Sequence, residues 1–162
     1  MQIGIAGQDY VRHGSLDVPR SAESQYEAAK SYLSRDPLER RLFQRLEHAR
    51  DGRHYTLRTN SRNEDYFDPR SNTIGWDPYS ALRTTSGGRQ SPALGLGHEV
   101  DHAVENRSKA QRLMNTSNAR YDTAEERRVI LGSETHAART LGEGTRHDHG
   151  GAVYRVSSPV LR

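Results

Sequence analysis

Two histidines and a glutamate stand close together in the segment 97–103, which reads GHEVDHA. On a helix His98 and His102, four residues apart, lie on one face with about 6 Å between them along the axis, so both can bind one metal ion. Zinc suits neutral histidine nitrogens, and Glu99 at the flank of that face can take a proton from a water at the metal. The segment therefore predicts a zinc site of the HExxH class and peptide-bond hydrolysis, with Glu99 as general base.

A zinc site of this kind needs a third protein ligand from another part of the chain. The metzincin arrangement is excluded, because position 108, six residues after the second histidine, is Ser108. On the last predicted helix, Glu134 shares an apolar face with Ile130, Ala137 and Leu141, where a lone carboxylate is costly unless it is paired or bound to metal. We therefore predict Glu134 as the third ligand.

Two alternatives to this ligand stay open. Glu134 could instead be half exposed and paired with Arg127, Arg128 or Arg139. The stretch 144–151, GTRHDHGG, loosely resembles the GTxDxxYG signature of the aspzincins, which would make Asp148 the metal ligand. Asp148 is one position out of step with that signature. Three further histidines, His136, His147 and His149, are nitrogen donors, although histidines in polar segments are commonly just solvated.

Four helices are expected from cap and period signals, over about 21–34, 36–52, 91–106 and 123–141. Asp36 and Ser91 are each followed by proline, as at many helix starts. Thr123 with Glu126 forms a capping-box pattern, and Gly142 is a C-terminal stop. The second of these helices also has Glu39 three residues after its cap.

Alternating segments at 54–59 and 73–76 predict a small antiparallel sheet, and a short strand is expected around 152–156. The stretches 60–72 and 79–90 are expected to be loops. The predicted fold class is α+β, a compact minimal zincin-like domain in which the sheet packs beside the HExxH helix and a C-terminal ligand-bearing helix. We expect one domain over 1–162, with 1–20 as a loose N-terminal segment.

The composition narrows the classes of protein that fit. Hydrophobic residues make up 32% of the 162 residues, so the core must be small. The absence of cysteine excludes disulfides and thiolate metal sites. No span has the pattern of a signal peptide or a membrane helix, so we expect no membrane association. Net charge is +3, but the arginines alternate with carboxylates along the chain, a pattern that argues against nucleic-acid binding.

The segment from about 34 to 150 resembles the NleD-like zinc metallopeptidase effectors of bacteria, which include the HopH-type effectors. The similarity rests on SRDPLERRLFQRLE, NTIGWDP, SPALGLGHEVDHAVEN and EERRVILGSETHAARTLGEGTRHDHG. It implies His98, His102 and Glu134 as zinc ligands and Glu99 as base. By the same resemblance, Arg146 and His149 lie where the family has an arginine and an aromatic residue, and either could stabilise the oxyanion of the tetrahedral intermediate. Tyr154 is a second candidate for that role.

The resemblance also implies a biological setting. Such effectors are secreted or translocated by a specialised system and cut a target-cell protein in the cytoplasm, in known cases a protein kinase. A toxin role, with an immunity protein or a secretion chaperone as partner, belongs to the same expectation, and we expect a monomer. The rival hypotheses are a non-enzymatic, arginine-rich nucleic-acid-binding module and a degenerate peptidase that keeps its metal only for structure.

Overall fold

The computed structural model describes residues 2–3 and 9–162. The first part of the chain contains β1 (Gln2–Ile3), β2 (Asp9–His13), β3 (Leu16–Pro19), α1 (Glu23–Leu33), α2 (Pro37–Glu47), β4 (Tyr55–Thr59), β5 (Tyr66–Asp68), β6 (Thr73–Trp76), β7 (Ser80–Arg83) and β8 (Arg89–Gln90). The second part contains α3 (Pro92–Val104), α4 (Arg107–Met114), β9 (Ser117–Asn118), β10 (Asp122–Thr123), α5 (Ala124–Val129), a π-helical turn (Ile130–Glu134), α6 (Thr135–Leu141) and β11 (Ala152–Arg155). The fold is α+β, as predicted.

The main sheet has six strands in the order β1-β2-β3-β4-β6-β5. Its central pairs, β3 with β4 and β4 with β6, are parallel, whereas the outer pairs are antiparallel. The prediction of an antiparallel sheet from 54–59 and 73–76 is therefore wrong, because these strands run side by side in the same direction, with Leu57 opposite Ile74. A second sheet has the order β11-β7-β8, and β9 pairs with β10.

Three further differences concern segments that the sequence analysis left without structure. Residues 9–19 form β2 and β3 inside the main sheet, with Leu16 and Val18 fully buried, so only 1 and 4–8 of the expected loose segment lie outside the described residues. The expected loop 60–72 contains β5, and the loop 79–90 contains β7 and β8. β5 and β8, of two or three residues, are too short for a periodic signal in the sequence, and the residues of β7, SALR, do not alternate between polar and apolar.

The helix starts agree with their cap residues. Asp36 accepts a hydrogen bond from the backbone N–H of Glu39 at 3.0 Å, and Ser91 accepts one from Leu94 at 3.2 Å. α6 ends at Gly142, whose φ of 73° lies in the left-handed region that glycine adopts without strain. α4, between the third and last predicted helices, was not foreseen.

α3 is the central element, because twelve of its thirteen residues are buried between the sheet and the other helices. Its first turn is fixed by the Trp76 indole, which donates to the carbonyl of Pro92 at 2.9 Å. Its last turn is fixed by three donors that reach the free carbonyls of a helix end: Arg45 donates to Val104, Arg53 to Ala103 and Tyr55 to Ala103. Both ends of the helix that carries the histidines are therefore held from outside the helix.

The hydrophobic core surrounds this helix. Its largest fully buried members are Trp76, Tyr26, Tyr55, Leu33, Leu46, Leu57, Ile74, Leu94 and Leu96. Among the residues that the structure describes, no helix combines the length and the apolar character needed to cross a lipid bilayer.

Candidate metal centre

His98 and His102 face each other across one turn of α3. Both side chains are buried, with 6% and 9% of their surface exposed, and their Nε2 atoms lie 3.0 Å apart. The two rings meet edge to face, with centroids 4.7 Å apart. The prediction that both rings point to one position is confirmed.

Each Nδ1 atom on the outer edge of these rings contacts a buried carboxylate. His98 Nδ1 lies 2.8 Å from Glu134 Oε1, and His102 Nδ1 lies 2.8 Å from Glu125 Oε2. A carboxylate at Nδ1 accepts the ring N–H and leaves the lone pair of Nε2 for a metal ion. The carboxylates thus fix both ring orientations and select the tautomer that ligation requires.

Glu126 supplies the carboxylate on the inner side. Its Oε2 lies 2.8 Å from Nε2 of His98 and its Oε1 lies 3.1 Å from Nε2 of His102. A tetrahedral zinc ion with bonds of about 2.0–2.1 Å separates its ligand atoms by about 3.3 Å. Two nitrogens and a carboxylate at mutual distances of 2.8–3.1 Å therefore fit zinc, with a small expansion on binding.

Glu134 occupies a different place from the one predicted. Its carboxylate touches the Nδ1 edge of His98, opposite the ring edge that faces His102 and Glu126, so it cannot bind the same ion without leaving that contact. Arg146 donates two hydrogen bonds to the Glu134 carboxylate, from Nε to Oε2 at 2.9 Å and from Nη2 to Oε1 at 2.5 Å. The geometry therefore puts Glu126, and not Glu134, beside the two Nε2 atoms, and a third ligand at Glu126 would keep the same two-histidine, one-glutamate type of site.

The reason for this difference is a kink in the turn over Ile130–Glu134, where Gly132 has a non-helical φ of −92° and ψ of −108°. In a regular helix two residues eight positions apart differ by about 80° in direction. The kink at Gly132 changes the direction and phase of the helix, so Glu126 and Glu134 both reach His98, although a regular helix would point them in different directions. A continuous α-helix was expected over 123–141, with Glu126 only as part of its cap.

Only the backbone of Glu126 takes part in the predicted helix cap. The backbone N–H of Glu126 donates to Thr123 Oγ1 at 3.1 Å, as in a capping box, but its side chain turns to the histidines. The adjacent acids Glu125 and Glu126 could have indicated this contact. Neighbouring side chains on a helix point about 100° apart, so one acid can contact Nδ1 of a histidine while the other contacts Nε2.

Electrostatics keep Glu126 and Glu134 ionised. Burial opposes ionisation of Glu134, but Arg146 and His98 outweigh it and lower its pKa to about 2. Burial also opposes ionisation of Glu126, and its contacts with His102, His149 and His98 hold its pKa far below the ordinary value. Hydrogen bonds with Glu125 and Glu126 raise the pKa of His102 to about 9 against the effect of burial. A divalent cation can replace the protons that hold these groups together.

Glu99 lies beside the histidines, as the general-base prediction requires. It is 6% exposed, lines the cleft, and can bring a carboxylate oxygen within 4.8 Å of ligand atoms of both His98 and His102. Burial raises its pKa above the ordinary value of a glutamate, partly offset by the two histidines. A carboxylate with a raised pKa holds a proton more readily, which suits a group that accepts one and gives it back.

Ion pairs with Arg128 fix the position of the Glu125 carboxylate. Arg128 donates to both oxygens of Glu125 at 2.8 Å and to Asp101 at 2.9 Å. Ser133 also donates to Asp101. Asp101, which lies between the two histidines, therefore anchors the arginine that orients Glu125, the partner of His102.

The metal centre opens into a cleft of about 450 Å³. Arg146 and His149 both line it, as predicted, but Arg146 is 11% exposed at its side chain and committed to Glu134, whereas His149 is 45% exposed and 3.5 Å from Glu126. Tyr154 does not line the cleft: its ring lies below Arg89, and its buried hydroxyl finds no hydrogen-bond partner within the described residues.

The alternative ligands lie outside this centre. Asp148 accepts hydrogen bonds from Thr85 and from the backbone of Gly150, and it is not among the residues of the cleft. The aspzincin alternative therefore finds no support in the geometry. His136 lies at the other end of the last helix against Asp36.

Comparison with known proteins adds no family: no protein-family model, no curated protein and no solved structure matches the chain.

Proposed function

We propose that the protein is a zinc-dependent endopeptidase with His98, His102 and Glu126 as metal ligands and Glu99 as general base. One observation carries the proposal: both Nε2 atoms converge on the Glu126 carboxylate at 2.8 and 3.1 Å, while both Nδ1 atoms are taken by other carboxylates. A histidine pair that served only structure would not need this arrangement on both edges.

Zinc at this position supplies a Lewis acid that polarises a carbonyl and makes water acidic. Glu99 takes the proton from the attacking water on its carboxylate and delivers it to the nitrogen of the leaving amine. Glu125 and Glu134 keep the imidazoles in place through both steps. His149 is the cleft-facing group left to stabilise negative charge on the carbonyl oxygen, since the guanidinium of Arg146 is held by Glu134.

An extended peptide is the substrate form that the cleft favours. β5 is an edge strand of the main sheet, paired with β6 alone, and the residues 65–67 line the cleft. A peptide that adds to this edge is held by main-chain hydrogen bonds alongside the metal centre. The neighbouring strand β6 cannot take this role, because it lies between β4 and β5 and has no free edge.

The test is a comparison of the parent with two variants. Glu99→Gln should keep one zinc per chain and lose at least about a hundredfold in activity, in the range of a lost general base. His98→Ala should lose both. New N-termini are mapped by mass spectrometry in a proteome digested by each protein, with exposed Glu64→Gln as a matched control. Cleavage by Glu99→Gln at the parent's rate would refute the assignment.

The setting of this activity is proposed from the sequence resemblance alone. We place the protein among secreted or translocated bacterial effectors or toxins that cut a target-cell protein, a protein kinase being one class. Expression in the cytoplasm of eukaryotic and of bacterial cells, each with the Glu99→Gln control, distinguishes the two kinds of target. A zinc-free protein whose affinity for DNA falls steeply with salt would instead favour the arginine-rich binding module.

A further inference from the structure

The exposed apolar surface of the described residues gathers at the cleft. Five large hydrophobic side chains are exposed, and three of them, Tyr66, Met114 and Val153, line the cleft at exposures of 38%, 41% and 53%. In a chain with only 32% hydrophobic residues, such a gathering indicates a surface that is covered when a ligand binds.

The apolar residues form two separate groups. Leu82 and Val153 stand directly opposite each other in the antiparallel pair of β7 and β11, so they project to the same face. Phe67 and Met114 form the other group, and both also line a narrow recess of about 20 Å³ beside His102. The surface facing this recess is almost entirely apolar.

The charges around the recess oppose an acidic ligand. Glu105 and Glu125 both border it, and Arg128 pairs with both. The basic group at its border, Arg107, is bound by the carbonyl of Pro69 and the side chain of Asn72. A carboxylate entering the recess would lose water and meet no cation that is not already engaged by another group.

Met114 forms the side of the recess that can move. The recess as it stands holds about one water-sized group. A methionine with three rotatable bonds and 41% exposure can swing outward at little cost and enlarge the recess into the cleft. Phe67 on the opposite side packs against the core and is fixed.

We propose that the recess beside His102, bounded by Phe67 and Met114, is a specificity subsite for an aliphatic side chain next to the scissile bond of a peptide. The inference rests on the proposed function. It predicts substrates with leucine, isoleucine, valine or methionine at one position beside the cut, and discrimination against aspartate and glutamate at that position.

Two measurements test the subsite. The zinc-loaded parent and its Met114→Gln and Leu161→Gln variants digest a tryptic proteome-derived peptide library, and the residues around each cut are counted. Leu161 is the matched control, since it is 47% exposed and lies outside the cleft. In parallel, the affinity for two labelled octapeptides is measured with zinc-loaded Glu99→Gln and with the double variant that also carries Met114→Gln. The two peptides differ only in having leucine or aspartate at the position that the library selects. If nothing in the library is cut, that position is the centre of the peptide.

The expected result is an aliphatic preference at one position in the parent and in Leu161→Gln. Discrimination of leucine from aspartate should be at least about tenfold and should fall about tenfold in Met114→Gln, the range for one apolar contact. Cutting without such a preference, or with one that Met114→Gln leaves unchanged, overturns the subsite and leaves the peptidase proposal intact. Selective binding without any cutting supports the subsite but overturns the proposed hydrolysis. Neither cutting nor binding overturns both.

Discussion

At the scale of single residues, the site depends on how neighbouring glutamates divide their contacts. Glu126 faces both Nε2 atoms, whereas Glu125 and Glu134 each face one Nδ1 atom. Residues at the outer edge of a ligand tune affinity, while a direct ligand is part of the coordination itself. This division gives different expectations for substitutions that look equivalent in the sequence.

Glu126→Gln and Glu134→Gln should therefore differ in zinc affinity. Glu134→Gln should weaken binding by about 10- to 100-fold, the range for partners of a metal-bound histidine. Glu126→Gln should weaken it more, because a charged ligand is lost. Competition with a chromophoric chelator measures both, and the melting temperature of each metal-free variant controls for folding. A larger loss in Glu134→Gln would restore Glu134 as the ligand.

Glu39 is a buried acid outside the metal centre. It is fully buried, its Oε2 lies 2.7 Å from where a Cβ on Gly97 would be, and neither oxygen has a hydrogen-bond partner among the described residues. Burial, followed by the nearby acids Asp101 and Asp36, raises its pKa well above the ordinary value of 4.5. The residue is therefore protonated in the folded protein at pH values where the unfolded chain has lost the proton.

This difference in protonation gives a stability prediction with a defined sign. Above about pH 4.5 the folded state holds the Glu39 proton and the unfolded state does not, so stability falls as pH rises until the folded pKa is passed. Glu39→Gln removes this dependence. The free energy of unfolding of the variant minus that of the parent should grow by up to about 1.4 kcal/mol per pH unit in that window. Urea unfolding from pH 5 to 8 measures it, and a constant difference would show that Glu39 is ionised.

At the scale of elements, α3 and α5 are connected by Arg128. Its guanidinium spans Glu125 on its own helix and Asp101 on α3, which lies between the two histidines. The position of Glu125 at His102 is thus set by an ion pair between helices. Arg128 is 22% exposed at its side chain, and the acids it binds are nearly buried.

Arg128→Ala should consequently weaken zinc binding by about 10- to 100-fold although Arg128 touches no ligand. Arg128→Lys should give an intermediate loss, because lysine keeps the charge but lacks the planar fork that holds two carboxylates. The exposed neighbour Arg127→Ala is the control. The cobalt-substituted protein offers a second measurement, since its visible absorption bands report ligand geometry. Unchanged affinity and unchanged bands in Arg128→Ala would remove Arg128 from this role.

The sequence predicted the elements that have long periods or explicit caps. α1, α2, α3 and the last helix, together with β4, β6 and β11, lie where the patterns placed them. The strands β5 and β8 were missed because two or three residues carry no period, and β7 was missed because its residues, SALR, do not alternate between polar and apolar. The parallel arrangement of β4 and β6 was missed as well, since pairing direction depends on contacts between distant segments.

The candidate site was also predictable only where its residues follow a local pattern in the sequence. His98, Glu99 and His102 follow from local spacing on one helix, and the structure brings them together as expected. The candidate third ligand depended on the phase of the last helix, which the kink at Gly132 changes in a way that composition and periodicity do not reveal. Tyr154 was misplaced for a related reason, because its strand joins a sheet whose other members were expected to be loop.

At the scale of the whole molecule, the metal centre connects parts of the chain that are distant in sequence. α3 packs against α1, α2 and the main sheet, while α5 and the π turn bring the acids from the second half of the chain. Without a cation, two histidines and Glu126 share a small, buried space. Zinc binding should therefore add to the stability of the entire fold, because the unfolded chain offers no such site.

Removal of zinc should lower the melting temperature of the parent. At a free zinc concentration about a hundred times the dissociation constant, the added stability is about 2.7 kcal/mol, which corresponds to several degrees for a domain of this size. His98→Ala should melt at the same temperature with and without zinc. Differential scanning calorimetry with and without a chelator makes the comparison. Equal melting temperatures for the loaded and stripped parent would contradict a built-in metal site.

The most direct test of the account is a crystal structure of the zinc-loaded protein with diffraction data collected on both sides of the zinc absorption edge. The account predicts one anomalous peak between the two Nε2 atoms, within bonding distance of Glu126 and with Glu134 still at Nδ1 of His98. A peak bonded to Glu134 or Asp148 in place of Glu126, or no peak at the histidine pair, would contradict it.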